Sequence, residues 1–348
     1  MSKINLKEFE SLDIEPLIAD KPAEPRDSSR LLVLNRKTGE ISDRHFRDLP
    51  ELLPAGTLMV LNNSKVWKAR LTARKTPGGG HCELLLTGSD AADKKTWKAL
   101  CRKMKPSQEI ELNGGLKGIC SGLAEDGAYE FKFEAPMDEK YLAEYGDVPL
   151  PQYILNARKR RGVTGRQDDI NYQTVYADPV GSIAAPTAGF HFTENLFDRL
   201  GKAGIRHTFV TLHIGWGTFK PVREEDPEKH IMMTEHCYVS PETAGMINSQ
   251  KDSTGKLLAV GTSSMRTMEA MFSGGHIKEG LADADLFIYP GYKFKSADIF
   301  ITNLHVPSSA PLYMTAAFAG RELLFEAYRH AVESRYRFYS YGDSMLIM

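Results

Sequence analysis

At 348 residues the chain is long enough for two domains, and 42% apolar with 26% charged residues is the composition of a globular protein. The formal net charge of −1 excludes global attraction to nucleic acid, so an anionic partner must meet a local basic patch. Cys82, Cys101, Cys120 and Cys237 form no C-x-x-C pair, which argues against a zinc knuckle or redox dithiol and for reduced thiols. The start MSKINLKEFE is too polar for a signal peptide, and no apolar run approaches the roughly 20 residues needed to span a bilayer; a cytoplasmic protein without a membrane partner is expected.

In chain order, residues 31–35 (LLVLN) read as a strand closed by the turn K-T-G, and 57–61 (TLMVL) as an almost wholly apolar strand buried on both faces. Short segments follow between 67 and 134, among them CELLLT, TWKALCR, EIEL and YEFKF, separated by P-G-G-G and N-G-G. Close spacing without helical periodicity predicts a small antiparallel barrel. Arg158 to Arg166 (RKRRGVTGR) looks like a mobile basic loop. Beyond it strands and helices alternate: a helix over 194–202 capped by Thr193, a strand over 208–214, a helix opened by Ser240-Pro241-Glu242, and a strand over 256–262. A helix over 265–272, strands over 286–289 and 298–302, and helices over 312–318 and 321–337 complete the chain. The expected fold is α/β: a discontinuous α/β domain, residues 1–66 with 151–348, carrying an inserted β-barrel, residues 67–150.

Three stretches place small and hydroxyl residues where a strand ends, where α/β sheets bind ligands. In GSIAAPTAGFHFT, Pro186, Ala188 and Gly189 let the backbone approach a ligand closely, with Thr187 among them. His191 sits just before a helix N-terminus, suited to hydrogen bonding or proton transfer. A structural histidine fixing a tight loop is the alternative. In TLHIGWGTFK, His213 lies near a strand end and Trp216 between glycines suits stacking on a flat base, or packing as core. The third glycine and following helix of a dinucleotide fingerprint are missing. In AVGTSSMRT, Thr262 and Ser263 at a helix start suit an anion, a carboxylate or ribose hydroxyls, with Arg266 one turn in; ordinary capping explains them equally well, and no Walker lysine follows. Further on, Tyr289, Tyr292 and Lys293 interleave aromatic and basic groups, as stacking and phosphate contacts on RNA require. Glu235 and Asp343 have no partner that spacing reveals, and His230, Glu235 and His236 are not spaced to share a metal on one helical face.

On these residues the chain resembles the S-adenosylmethionine:tRNA ribosyltransferase-isomerase family of queuosine biosynthesis. The matching stretches are PAEPRDSSRLLVLNR, HFRDLP, YQTVYAD, AAPTAGFHFT, FVTLHIGWGTFKPV, AVGTSSMRT, FIYPGYKF, ITNLHVP, AFAGRE and RYRFYSYGDSMLI, nearly the whole chain in the family's order. The resemblance implies transfer of the ribosyl part of S-adenosylmethionine onto 7-aminomethyl-7-deazaguanine in tRNA, and its isomerisation to the epoxycyclopentane of epoxyqueuosine, releasing adenine and methionine. It implies no metal or redox cofactor, the donor being a consumed substrate, and as partner a tRNA anticodon region; a monomer is expected. His191, with His213 and His305, becomes a candidate catalytic residue. Thr187, Gly189 and Trp216 become substrate-binding candidates, Thr262, Ser263 and Arg266 candidates for the donor side, and Tyr289, Tyr292 and Lys293 for the tRNA side. The chain departs from the family pattern at Asn63 (an acid), Lys65 (an arginine), Lys68 (a proline) and Ser308 (a lysine), with Pro311 entering nearby; lysine does not reproduce a bidentate arginine contact. The competing readings are a non-catalytic tRNA-binding relative, an enzyme using the same donor on a diverged acceptor, and a methyltransferase, the last opposed by the missing G-x-G after the first strand.

Overall fold

The computed structural model describes residues 6–89, 93–163, 167–219, 221–224 and 229–348. The chain divides into two compact units, residues 1–65 with 151–348 and residues 66–150.

The larger unit is built on one nine-stranded sheet. From edge to edge its strands are Gly280–Ala284, Glu235–Val239, Arg206–Leu212, Leu58–Asn62, Leu257–Val260, Ile299–Asn303, Ser344–Ile347, Arg30–Leu34 and Ile41–His45. The four strands from Arg206–Leu212 to Ile299–Asn303 run parallel, and antiparallel strands flank them. Strand alternation splits the apolar residues between two cores. Leu58, Val60, Leu257, Ala259 and Phe300 enter one, with the helices Ala310–Ala319 and Arg321–Glu333. Met59, Leu61, Leu258, Val260 and Ile301 enter the other, with Leu196 and Leu200 of the helix Glu194–Lys202. Burial on both faces explains why the residues after Thr57 in the TLMVL stretch are all apolar.

Local signals set the helix starts. Thr193 accepts from the Leu196 amide at 3.1 Å, and Ser240 accepts from Thr243 before Pro241–Asp252. Other expectations need correction. The strand foreseen over 256–262 stops at Val260, because Gly261, at φ +86°, turns the chain directly into the helix Gly261–Ala270. Residues 286–289 are not a strand: Gly280–Ala284 already pairs with Glu235–Val239 at that edge, and Ile288 is apolar because it lies in the core. The last helix ends at Glu333, since Arg335 takes φ +55°. The basic stretch is not a loop: Gln152–Arg161 is a helix closed by Gly162 in the left-handed conformation, and residues 164–166 lie outside the described residues, as do 1–5 and 220. Three of its arginines are ion-paired, Arg158 with Asp168, Arg160 with Glu15 and Arg161 with Asp20, which removes most of the positive charge expected there.

The smaller unit is a closed six-stranded antiparallel barrel in the order Tyr129–Phe133, Thr96–Leu100, His81–Ser89, Arg70–Thr76, Glu109–Leu112 and Lys117–Leu123. Alternate residues Leu71, Ala73, Leu84, Leu86, Trp97, Ala99, Phe131 and Phe133 fill it. Gly118 is a glycine by necessity, as a Cβ there would lie 2.5 Å from the Phe133 ring.

Candidate active site

Sheet register brings distant segments to one end. The four parallel strands finish together at Asn62, Leu212, Val260 and Asn303. Ser344 begins its strand opposite Asn303, and Leu31 pairs with Ser344, so Ser29 and Asp343 lie at that end too. Antiparallel pairing of Leu212 with Cys237 puts the start of the Glu235–Val239 strand beside the Leu212 exit.

The loops at this end interlock. His213 lies against Gly181, where a Cβ would sit 2.5 Å from its Nδ1, and the amides of Ile183 and Ile214 bond to Ile214 O and to Ser182 Oγ. Gly261 and Ala188 touch, a Cβ on Gly261 lying 3.4 Å from the Ala188 Cβ. Glu235, 5% exposed, accepts from the Gly215 amide at 2.9 Å through Oε1 and from Arg266 at 2.6 Å through Oε2. The three glycine-rich stretches therefore meet. Glu235, unpaired by spacing, proves to tie two of them, whereas Asp343 holds Arg30 and Arg337 beside them.

His191 is buried on this scaffold and stacks on Phe46 at 4.8 Å. Its Nδ1 lies 2.7 Å from Ser29 Oγ and its Nε2 3.3 Å from Asn303 Oδ1. Asn303 Nδ2 donates to the Tyr339 and Ser340 carbonyls, which orients the amide with Oδ1 toward the ring. The Nε2–H tautomer then donates to Asn303, and Ser29 donates to Nδ1. Both nitrogens are engaged, and burial pushes the imidazole down to about 4.

A pH dependence follows. The unfolded histidine takes up a proton at an ordinary 6.5, whereas the folded one resists it until about 4. Stability is therefore complete above pH 6.5 and falls as pH drops through that window, by about 3 kcal/mol from this residue. Urea unfolding at pH 7.5 and 4.5 measures the loss, and His191→Gln should flatten the profile. His305, pushed down to about 3 by burial, adds a loss of the same sign.

The other foreseen residues fall into groups. His213 Nδ1 and Arg266 Nε are buried without a partner among the described residues; burial, then neighbouring His236, lowers the His213 pKa. Thr262 and Ser263 occupy the first turn of the helix, Thr262 partly exposed and Ser263 buried, and Thr187 is partly exposed at the head of the turn Thr187–Gly189. Gly189 answers a packing need: a Cβ would lie 2.0 Å from Tyr176 Oη and 2.7 Å from Thr174 Cγ2. Trp216 is partly buried in a short 3-10 turn, with Gly217 tight against Met233. The His305 Nε2 is bonded to Thr302 Oγ1 at 2.5 Å. Tyr292 turns its hydroxyl inward to Glu269 at 2.8 Å, and the same carboxylate accepts from the Lys295 and Ser296 amides, so Tyr292 holds its loop shut. Lys293 is exposed and Tyr289 partly so. His230 pairs with Glu224 and His236 with Asp283, and among the described residues no three ligating side chains gather around one metal position. At the departures from the family pattern, Asn63 accepts from Thr211 at 2.7 Å, Lys65 is exposed and Ser308 bonds to Glu10 at 2.6 Å.

Sequence reasoning missed Ser29, Asn303 and Phe46 around His191. The only local signal was that Ser29 precedes one strand and Asn303 ends another.

Fold and site define an α/β protein whose polar groups gather at the carboxyl ends of parallel strands, with a closed barrel inserted in its chain. A family described as queuosine biosynthesis protein matches residues 8–347. The S-adenosylmethionine:tRNA ribosyltransferase-isomerase of Thermotoga petrophila is 43% identical over 99% of this chain and 100% of its own length. That of Symbiobacterium thermophilum is 43% identical over 99% and 100%. A crystal structure of S-adenosylmethionine tRNA ribosyltransferase from Thermotoga maritima is 36% identical, with a TM-score of 0.54 over 95% of this chain and 96% of that one. The chain belongs to the queuosine biosynthesis family of S-adenosylmethionine:tRNA ribosyltransferase-isomerases.

Proposed function

We infer that the strand-exit cluster is where this enzyme transfers and isomerises the ribosyl group of S-adenosylmethionine onto 7-aminomethyl-7-deazaguanine of tRNA. The observation that carries the reading is the gathering of unpartnered buried polar atoms at one end of the sheet. His213 Nδ1, Arg266 Nε, Tyr341 Oη, Thr174 Oγ1 and Ser344 Oγ all belong to the strand ends or to residues packed on the 184–193 loop. Each costs free energy unless a ligand supplies its partner.

The sulfonium of the donor acidifies the neighbouring 5′ carbon. Loss of that proton gives an ylide, which expels adenine; the amine of the deazaguanine attacks, and methionine leaves as the epoxide closes. The protein contributes placement, water exclusion and proton movement. His213 is the better proton carrier, because its lowered pKa keeps it neutral near pH 7 and its Nδ1 has no partner among the described residues. His191, engaged at both nitrogens, orients the loop. His305, bonded to Thr302, supports the neighbouring strand exit. Thr187, Gly189, Trp216, Thr262, Ser263 and Arg266 are assigned to the donor side, and Tyr289, Tyr292 and Lys293 to an anticodon-region surface. The protein acts as a cytoplasmic monomer without a cofactor.

The test is product analysis. Purified protein given S-adenosylmethionine and tRNA carrying 7-aminomethyl-7-deazaguanine should release adenine and methionine in equal amounts. S-adenosylhomocysteine in their place would mean methyl transfer, and no adenine at all would leave a tRNA binder.

A further inference from the structure

We propose that Glu235 is a positioning residue for ribosyl transfer, acting through Arg266 and the Gly215 amide; the inference rests on the donor site assigned above. Glu235 is the first residue of its strand and points inward. Antiparallel pairing delivers that first residue to the carboxyl end of the neighbouring Arg206–Leu212 strand, where the H-I-G-W-G stretch begins. One carboxylate oxygen then holds Gly215, two residues beyond His213, and the other holds Arg266, one turn into the helix that starts at Gly261.

A buried ion pair is weak evidence for stability, because desolvation offsets most of the attraction. What it supplies here is register between two loops. The side chains of Arg266 and Glu235 are each 5% exposed, and among the described residues no other carboxylate is bonded to this guanidinium. Glu235 anchors one end of the guanidinium and leaves Nε as a buried donor with no partner among the described residues. On the adjoining loop His213 Nδ1 is in the same condition. A donor and a ring nitrogen held in fixed relation suit a ligand with an anionic oxygen at one end and a proton to give up at the other. A zwitterionic sulfonium amino acid carrying a ribosyl group has both. Burial raises the Glu235 pKa against the opposing pull of Arg266, and the Gly215 amide also favours the carboxylate. Arg266 and the Gly215 amide thus favour the charged form that burial opposes, so the tie acts in both directions.

The test is a double-mutant cycle on KM for S-adenosylmethionine, kcat and thermal midpoint, using full-length protein and modified tRNA. Glu235→Gln should raise KM by about tenfold or more, as expected for loss of one partner of a buried, hydrogen-bonded charge pair. In an Arg266→Gln background the same substitution should add almost nothing, because the residue through which Glu235 acts is gone. Additive effects on KM, or an unchanged KM in folded Glu235→Gln, would overturn the proposal. If Glu235→Gln loses its cooperative unfolding transition, Glu235→Asp carries the same cycle, keeping the charge but drawing the carboxylate back by one methylene. A wild-type protein that releases no adenine sinks the donor-site reading itself, and is distinguished from failure of this inference by that control.

Discussion

Replacing His191 with alanine should cost about 3 kcal/mol or more of stability and abolish turnover, whereas glutamine should keep turnover within about tenfold of the native level. Alanine removes a fully enclosed ring stacked on Phe46 and leaves the Ser29 hydroxyl and the Asn303 carbonyl oxygen without partners. Glutamine restores a donor toward Asn303 and an acceptor for Ser29, but it cannot shuttle a proton at neutral pH. The pair of substitutions therefore separates two roles. A proton-transfer histidine contributes about 10²- to 10⁴-fold, so a glutamine variant that folds normally and falls that far would restore His191 as the acid–base group. Urea unfolding and single-turnover adenine release on both variants provide the comparison.

Much of this arrangement is legible locally. Thr193, Ser240 and Pro241 mark helix starts because capping is a matter of neighbouring residues, and period-two alternation marks the barrel strands. The three small-residue loops stand out because they end apolar strands. What local pattern lacks is the partner. Ser29 and His191 are 162 positions apart, and Asn303 lies another 112 beyond His191; only the sheet register joins them. Glu235 reads as an isolated acid until the strand order sets its first residue beside the Leu212 exit. The RKRR stretch misleads for the same reason: a helix this polar has little amphipathic signal, and it is held by Asp20 and Glu15, far away in sequence. Tyr292 is half legible: its place in an aromatic and basic stretch is local, whereas the bond of its hydroxyl to the buried Glu269 of the helix behind it is not.

Those long-range ties make Asp343 the second site of large expected effect. Its carboxylate, 1% exposed, accepts from the amides of Arg30 and Arg337 at 3.1 and 2.8 Å and from the Arg337 guanidinium at 3.0 Å. The chain reaches it through Gly342, where a Cβ would stand 2.5 Å from the Arg337 carbonyl oxygen, so the turn has no slack to re-pair these donors. Asp343→Ala should cost about 2 to 4 kcal/mol, since two amides lose a buried acceptor, while the Arg337 side chain, 35% exposed, regains water. The loss should also reach the site. Arg30 follows Ser29, which holds His191, and Ser344 follows Asp343 opposite Asn303, so both of the imidazole's partners are fixed from this residue. Asp343→Asn, which keeps an acceptor for some of the donors, should fall between the two. Urea unfolding with adenine release measures both effects; a loss below about 1 kcal/mol in Asp343→Ala, or a stability loss with adenine release unchanged, would show that the His191 framework does not depend on this carboxylate.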